Sequence, residues 1–327
     1  MTLSVDPESS RRRHSPAFHG LWQGLSAANG KVFEWVFNYP GNYWDAASIM
    51  VKHALDVEGS LEGKTIALLH HNSAYGKEPI PTLEALAKKH GFSLTLIPVD
   101  SPGQEQKSQW LQIRREKPDY VFFWGWGVMN QTAVQEAANI RYPMDHFIGV
   151  WWSGAEPDVL PAGEGANGYK STNFTATGTD FPIFDDIKTY VVDTGKAAGD
   201  GSSLGQVQYN RGMYAAMLAA EAARKAQELS GHSAITAAEM RDGMEALQLT
   251  AQRMEELGMP GFGPEVNVNC ENHGGPGMAR IQQWDAAAQQ WNAVTDWISS
   301  DREVIDELIA ADSAAFAAEN NIAERCN

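Results

Sequence analysis

The sequence is short of cysteine, of positive charge and of long apolar runs, and each shortage argues against a class of protein. Its two cysteines, Cys270 and Cys326, are too few for a disulfide-rich miniature domain and lack the Cys-x-x-Cys spacing of many metal sites. With 25 basic against 41 acidic residues the formal net charge is −16, which disfavours nucleic acid and anionic lipid as partners. No run reaches the roughly 20 apolar residues that a membrane-spanning helix requires.

Recognisable catalytic and metal-binding patterns are also scarce. The sequence has no Gly-x-x-x-x-Gly-Lys-Ser/Thr phosphate loop, and its Gly125-x-Gly127-x-x-Asn130 run lacks the third glycine of a dinucleotide-binding turn. His70 and His71 would point to opposite faces of a strand, without further metal ligands nearby. We therefore expect neither an enzyme nor a bound metal or cofactor.

The clearest periodicity lies in residues 64–126. Three short apolar runs, at 65–69, 92–99 and 120–126, alternate with segments whose apolar residues recur at helical spacing. This alternation is typical of β-α-β units in a parallel sheet covered by helices on both faces, and it predicts an α/β fold. Ligands of such sheets bind beyond the carboxyl ends of the strands.

The same patterns predict further elements on both sides of this stretch. Strands are predicted at 32–38, 146–152 and 168–174, and a hairpin within 278–297. Helices are predicted at 43–57, 79–90, 129–140, 181–193, 207–229, 236–247 and 301–320. Glycine and proline exclude a helix from 258–277.

Cys270 and Cys326 leave two interpretations open, a pair of free thiols or one disulfide. We favour the disulfide, which would tie the terminal helix to the predicted hairpin and contribute about 4 kcal/mol by loop entropy. A disulfide would also fit an oxidising compartment.

The order of several short motifs resembles one family. Residues 64–69 leading to Tyr75-Gly76, residues 118–123, Ile148-Gly149 and residues 282–285 resemble the type I extracytoplasmic solute-binding proteins of the branched-chain amino acid ABC-transporter receptor family. The resemblance implies a type I periplasmic-binding-protein-like fold, whose two α/β lobes close around a small ligand, and a membrane permease as partner. It also implies a periplasmic or extracytoplasmic location, although the sequence shows no apolar export signal.

By this resemblance the chain divides unevenly between the two lobes. Residues 43–205 correspond to a complete α/β ligand-binding lobe. Residues 32–42 and 206–327 correspond to a partial first lobe, the crossovers, and the C-terminal hairpin and helix. Residues 1–31 are expected to be a disordered or remnant N-terminal segment, so we expect a truncated first lobe.

Aromatic residues follow three predicted strand ends and are the candidate ligand contacts. Tyr75, Trp126 and Trp151 match ligand-contacting positions of the family, and Trp124 and Ser153 adjoin them. Amino-acid binders carry a glutamate where this chain has Trp151, so a desolvated ammonium would lose its partner here. The resemblance therefore implies a small ligand that is aromatic, aliphatic, amide or otherwise amino-acid-like, although indole faces could also hold a quaternary amine.

Each candidate ring has a competing interpretation as a core residue, because alternate strand positions face opposite sides of a sheet. Two other functions are also considered. The chain could be an α/β enzyme acting on a small hydrophobic substrate in the same crevice, or a folded remnant that binds nothing.

Overall fold

The computed structural model describes residues 17–18 and 25–326, and its largest element is a mixed sheet. The strands are β1 (Ala17–Phe18), β2 (Val36–Phe37), β3 (Thr65–His71), β4 (Ser93–Val99), β5 (Tyr120–Trp124), β6 (Phe147–Gly149), β7 (Lys170–Asn173), β8 (Gln248–Leu249), β9 (Val266–Asn267), β10 (Met278–Asp285), β11 (Gln290–Ala293) and β12 (Ile298–Ser299). The large sheet has the order β11-β10-β7-β6-β5-β3-β4, with β12 paired to β10. Strands β3 to β7 are parallel, and β10 runs antiparallel to its neighbours β7 and β11. The predicted α/β sheet and the predicted hairpin are both confirmed.

Most predicted helices form within a few residues of their predicted bounds. The α-helices are α1 (Tyr43–Glu58), α2 (Ala74–Lys77), α3 (Ile80–His90), α4 (Lys107–Glu116), α5 (Val128–Asn139), α6 (Glu156–Val159), α7 (Pro182–Ile187), α8 (Val207–Ser230), α9 (Ala237–Glu245), α10 (Ala251–Glu256) and α11 (Arg302–Asn320). Short 3-10 helices form at Leu25–Ala28, Met144–His146, Trp151–Ser153 and Leu160–Ala166.

Two predicted strands are shorter than the sequence patterns indicate, and one predicted helix changes its geometry part-way along. The strand at 32–38 shrinks to β2, because the amides of Val32 and Phe33 turn back to the Asn29 carbonyl. The strand at 146–152 ends with β6, because the chain turns into the 3-10 helix Trp151–Ser153. The helix at 181–193 continues from α7 as a π-helical turn, Lys188–Val192, which buries no side chain.

The central strands β3 and β5 are buried on both faces of the sheet, which explains their continuous apolar runs. Ile66 and Leu68 of β3 belong to a core with α1, α3 and α11, whereas Ala67 and Leu69 belong to a core with α4 and α5. A third core lies outside the sheet and packs α7, α8, α9 and α10 around Phe262. The chain therefore forms two packed units, one on the large sheet and one on the third core.

The predicted N-terminal segment, residues 1–31, lies mostly outside the described residues. Of the part that is described, Leu25–Ala28 form a 3-10 helix and Asn29 makes an isolated bridge with Asn272. Strands β10 and β11 join the large sheet from outside the 43–205 segment. The predicted lobe boundaries stay predictions.

Cys270 and Cys326 form a disulfide with their Cα atoms 5.8 Å apart, which confirms the favoured pairing. Next to it, Arg325 donates to both carboxylate oxygens of Glu245, at 2.6 and 3.2 Å. The buried ring of His273 lies 3.2 Å from the same carboxylate through Nε2 and 2.8 Å from the Val36 carbonyl through Nδ1. Both ring nitrogens of His273 therefore face oxygen atoms.

Glu245 is expected to stabilise the fold through these contacts. Burial alone would raise the pKa of its carboxyl, but hydrogen bonds from His273 and Arg325 outweigh burial and lower the pKa from 4.5 to about 2. A depressed carboxyl pKa contributes stability that is full above about pH 4.5 and is lost as the pH falls towards 2. Glu245→Gln should lower the free energy of unfolding by about 2–3 kcal/mol at pH 7 in urea denaturation.

The matched control is Glu271→Gln. It removes an ion pair in which Lys31 Nζ lies 2.9 Å from Glu271 Oε1 and which is largely exposed to solvent. Its expected cost is below about 1 kcal/mol. The difference in the free energy of unfolding between the wild type and Glu245→Gln should become smaller as the pH falls below 4.5. A difference in the free energy of unfolding that stays constant from pH 7 to pH 3 would contradict the assigned role of the Glu245 carboxylate.

Candidate ligand-binding site

The start of α1 positions a tyrosine at the centre of the candidate site. Asn42 and Asp45 form a capping box, in which the Asn42 side-chain oxygen accepts from the Asp45 amide at 3.0 Å and Asp45 accepts from the Asn42 amide at 2.8 Å. Ser300 and Arg302 donate to the same Asp45 carboxylate, at 2.6 and 2.9 Å. The first turn of α1, which carries Tyr43, is thus held against the start of α11.

Within the part of the chain that the structure describes, four aromatic residues surround the buried Tyr43 ring. Its centroid lies 5.4 Å from that of Tyr75, 5.8 Å from Trp124 and 5.5 Å from Trp151. The Trp151 contact is stacked and the other two are edge-on, both of which are favourable arrangements of aromatic rings. The indole Nε1 of Trp152 donates to the Tyr43 hydroxyl at 2.7 Å.

Tyr75 lies just beyond the carboxyl end of β3, on α2. A tight turn places it there, since a Cβ atom on Gly76 would lie 1.8 Å from the His71 carbonyl oxygen. The Tyr75 hydroxyl donates to the Gly125 carbonyl at 3.0 Å, just after β5. The tyrosine therefore connects the ends of two neighbouring parallel strands.

Trp126 is the ring of this group that is open to solvent, with 43% of its surface exposed. It lies edge-on to Tyr75 at 6.4 Å and to Trp152 at 6.0 Å. On the opposite side of the group, Trp151 lies edge-on to Phe174 at 5.4 Å. We call the following residues the aromatic cluster: Tyr43, Tyr75, Trp124, Trp126, Trp151, Trp152 and Phe174.

The other two candidate residues are fully buried at the edge of the cluster. Trp124 is the last residue of β5, and its indole Nε1 has no hydrogen-bond partner within the described residues. The Ser153 hydroxyl donates to the Gly125 carbonyl at 3.2 Å, and its own carbonyl accepts from Tyr169 at 2.8 Å. Ser153 thus fastens the turn that carries Trp151 and Trp152.

The fold therefore brings the three main candidates, Tyr75, Trp126 and Trp151, into one group on one side of the large sheet. They are joined through Tyr43 and Trp152 rather than by direct contact of all three. Contact of any of these residues with a ligand stays a prediction.

A buried arginine from the second packed unit reaches this cluster. The guanidinium carbon of Arg211, on α8, lies 5.4 Å from the ring centroids of both Trp152 and Phe174. Phe174 itself packs against both the α1 core and the third core. The cluster consequently lies where the two packed units meet.

Among the described residues, three partly buried carboxyl groups lie around the cluster. Burial raises the pKa of Glu78 to about 8, and one oxygen of this carboxyl has no hydrogen-bond partner within the described residues. Burial also raises the pKa of Asp158, to about 6, and that of Glu156. At pH 7 Glu78 is therefore largely neutral, whereas Asp158 is largely ionised.

Sequence reasoning missed Tyr43, Phe174 and Arg211 as site residues. A usable signal existed for Arg211, because Val207, Arg211, Tyr214 and Leu218 follow the helical repeat of one buried face of α8. A charged residue on an apolar face is unusual and calls for a partner. For Tyr43, only the tertiary packing of α1 on the strand ends provides the signal.

A cavity of about 550 Å³ lies elsewhere, between α8, α9 and the small sheet of β8 and β9. Its lining is polar and contains Glu221, which accepts hydrogen bonds from Arg224 and Arg253. With its charges already paired and no aromatic ring in its lining, this cavity is a weaker candidate for an organic ligand.

Comparison with known proteins identifies the family. Residues 11–290 match the periplasmic binding protein family over most of the chain. The chain belongs to the periplasmic binding protein family. This membership confirms the type I α/β fold and a transport receptor rather than an enzyme, so the enzyme interpretation is not supported.

Solved structures of periplasmic binding proteins and related transport proteins resemble this chain. A protein described as an ABC transporter permease from the Pseudomonas fluorescens group is 39% identical, with a TM-score of 0.92 over 98% of this chain and 78% of that chain. A branched-chain amino acid ABC transporter protein from Thermus thermophilus with bound valine is 19% identical, with a TM-score of 0.68 over 84% of this chain and 70% of that one. A solute-binding protein from R. palustris in complex with benzoate is 14% identical, with a TM-score of 0.64 over 90% and 75%.

A search of curated proteins finds no match. In the part of the chain that the structure describes, no helix is long and apolar enough to cross a membrane. Over the same residues, no group of three or more histidine, cysteine, aspartate or glutamate side chains is arranged to hold a metal ion.

Proposed function

We propose that this periplasmic binding protein is the extracytoplasmic receptor of an ABC importer, which captures a small organic ligand by closure of two lobes. The observation that carries this proposal is the aromatic cluster at the junction of the two packed units. Small-molecule sites are concave, mostly apolar and aromatic, with a few polar groups, and they occur preferentially at domain junctions. The cluster has this composition and this location.

The rings favour a ligand with an apolar body. Trp126 is the most exposed member of the cluster, and the buried rings next to it form an apolar wall. Ligands with aromatic or aliphatic bodies suit this wall, and the structures with valine and benzoate belong to proteins of the same fold. An amide or amino-acid-like compound of similar size stays within the proposed class.

Closure of the lobes would complete the site. The unit on the large sheet supplies most of the rings, while α8 of the other unit supplies Arg211. A ligand that contacts both units stabilises the closed arrangement, which a membrane permease would then recognise. The lobe boundaries, with residues 43–205 as the ligand-binding lobe, belong to this proposal.

Trp126→Ala tests the proposed site. We expect thermal-shift and fluorescence titrations of the wild type with valine, benzoate, hexanoate and their amides to identify at least one ligand. Because Trp126 would lose its contact with the ligand, the variant should bind that compound about 10- to 100-fold more weakly, the usual effect of removing a buried aromatic contact.

The control is Tyr190→Ala, which removes an exposed aromatic ring from the π-helical turn without touching the cluster. Its affinity should equal that of the wild type. If Trp126→Ala also binds normally, the ligand lies elsewhere. If the wild type binds no compound of the panel, the non-binding remnant becomes the better interpretation.

A further inference from the structure

Arg211 occupies an unusual place for a charged residue. It lies on the face of α8 that also carries Val207, Tyr214 and Leu218, and only 5% of its surface is exposed. Long charged side chains are almost never fully buried unless they are paired. The surroundings of the guanidinium therefore indicate what it is there to bind.

Within the described residues, only part of the hydrogen-bonding capacity of this guanidinium is used. Nε and Nη2 both donate to the side-chain oxygen of Asn173, at 3.3 Å each. Trp152 and Phe174 offer ring faces to the cation, each at 5.4 Å. Nη1 has no hydrogen-bond partner within the described residues, so its two N–H groups are buried without an acceptor.

The nearest carboxylates are engaged by other groups. Asp158 accepts from the Ala155 amide at 2.9 Å and from the Asn130 side chain at 3.0 Å. Glu156 accepts from the Val207 amide at 3.2 and 3.3 Å. Among the described residues, neither carboxylate lies within 4.0 Å of the guanidinium, although both favour its charged form from a longer distance.

Arg211 nevertheless keeps its charge. Burial lowers its pKa to about 10, which leaves the guanidinium fully protonated at neutral pH. A buried charge without a counter-ion is costly, and an anion that reaches Nη1 would remove much of that cost. The carboxyl of Glu78 is largely neutral at pH 7 and so offers little to a cationic ligand.

We propose that Arg211 anchors the ligand through Nη1, and that the ligand is an organic carboxylate whose apolar body lies against the aromatic cluster. This inference rests on the proposed receptor function and specifies its substrate class. A carboxylate is planar and accepts parallel hydrogen bonds from a guanidinium, whereas the isosteric amide carries no charge and presents an NH₂ donor. The proposal therefore disfavours neutral amides and quaternary amines.

Matched pairs of probes test the proposal on the unaltered protein. The wild type is titrated with benzoate and benzamide, and with hexanoate and hexanamide, by isothermal calorimetry at pH 7. Within each pair that binds, the carboxylate should bind at least about 10-fold more tightly than the amide, as expected for a charge-assisted hydrogen bond in a buried site.

Variants then assign that preference to Arg211. Arg211→Gln should reduce the affinity ratio of carboxylate to amide to about one, whereas Arg211→Lys should retain part of the preference because the charge remains. The control is Arg224→Gln on the exposed side of α8, which should leave the ratio unchanged. The ratio is informative because, if Arg211 had a purely structural role, its substitution would lower the affinity for both probes of a pair by the same factor.

The outcomes separate this inference from the function on which it rests. If the amides bind as tightly as the carboxylates, or if Arg211→Gln folds and keeps the wild-type ratio, the anion anchor is wrong while the receptor function stands. If Arg211→Gln fails to fold, the carboxylate-to-amide affinity ratios of the wild type and of Arg211→Lys still decide whether Arg211 anchors the carboxylate. If no probe and no other compound of the panel binds the wild type, the receptor function and the anchor both fail.

Discussion

Tyr43→Ala is expected to weaken ligand binding by more than about 100-fold and to lower the free energy of unfolding by about 3–5 kcal/mol. Tyr43 contacts the rings of Tyr75, Trp124 and Trp151, and it accepts the hydrogen bond from Trp152. Its removal leaves a cavity in the middle of the cluster and an unpaired indole N–H. The surrounding rings would then no longer be held in one arrangement.

Urea denaturation and titration with the tightest compound of the panel measure the two effects. Tyr43→Phe is the matched control, because it keeps the ring and removes only the hydroxyl that accepts from Trp152. It should cost about 1–3 kcal/mol, the penalty for a buried donor left without an acceptor, and reduce affinity much less than alanine does. An alanine variant with wild-type affinity would show that Tyr43 does not organise the site.

Asp45→Ala should be the most destabilising of the polar substitutions considered, at about 3–5 kcal/mol. The carboxylate is 2% exposed and accepts from the Asn42 amide, the Ser300 hydroxyl and Arg302. Without it, the Asn42 amide loses its partner in the capping box, and Ser300 and Arg302 lose this acceptor. Because Tyr43 lies in the same helical turn, ligand affinity should fall as well.

Asp306→Ala provides the comparison for Asp45, since Asp306 pairs with the same arginine, Arg302, but from an exposed position. Its expected cost is below about 1 kcal/mol. Thermal and urea unfolding of both variants give the two values. Similar losses for both would mean that burial of the Asp45 carboxylate adds nothing to the contribution of the arginine pair.

The strands of the large sheet were predictable because their local signal is strong. Residues 65–69 and 120–124 are short continuous apolar runs, the pattern of parallel strands that are buried on both faces, and residues 92–99 form the more exposed edge strand beside them. The ends of β6 and β2 were less predictable. There the sequence stays apolar while hydrogen bonds turn the chain, so hydrophobicity alone overestimates the strand.

The candidate site was predictable only where a ring follows a strand end in the sequence. Tyr75 and Trp126 meet that condition, and Trp151 follows β6 after one residue. Phe174 follows β7 but carried no motif, and Tyr43 opens a helix more than 30 residues before Tyr75. Arg211 lies on a helix of the other unit, so no local pattern connects it with the tryptophans.

The sequence by itself determined the α/β class, the parallel direction of the central strands, the favoured pairing of Cys270 with Cys326, and the aromatic character of the strand ends. These features depend on local periodicity or on a very small number of possible partners. Only the tertiary structure decided that Tyr43 joins the rings into one cluster and that Arg211 reaches them from α8. Such contacts arise from the packing of distant segments, and the free energy of that packing is set by three-dimensional burial rather than by any spacing along the chain.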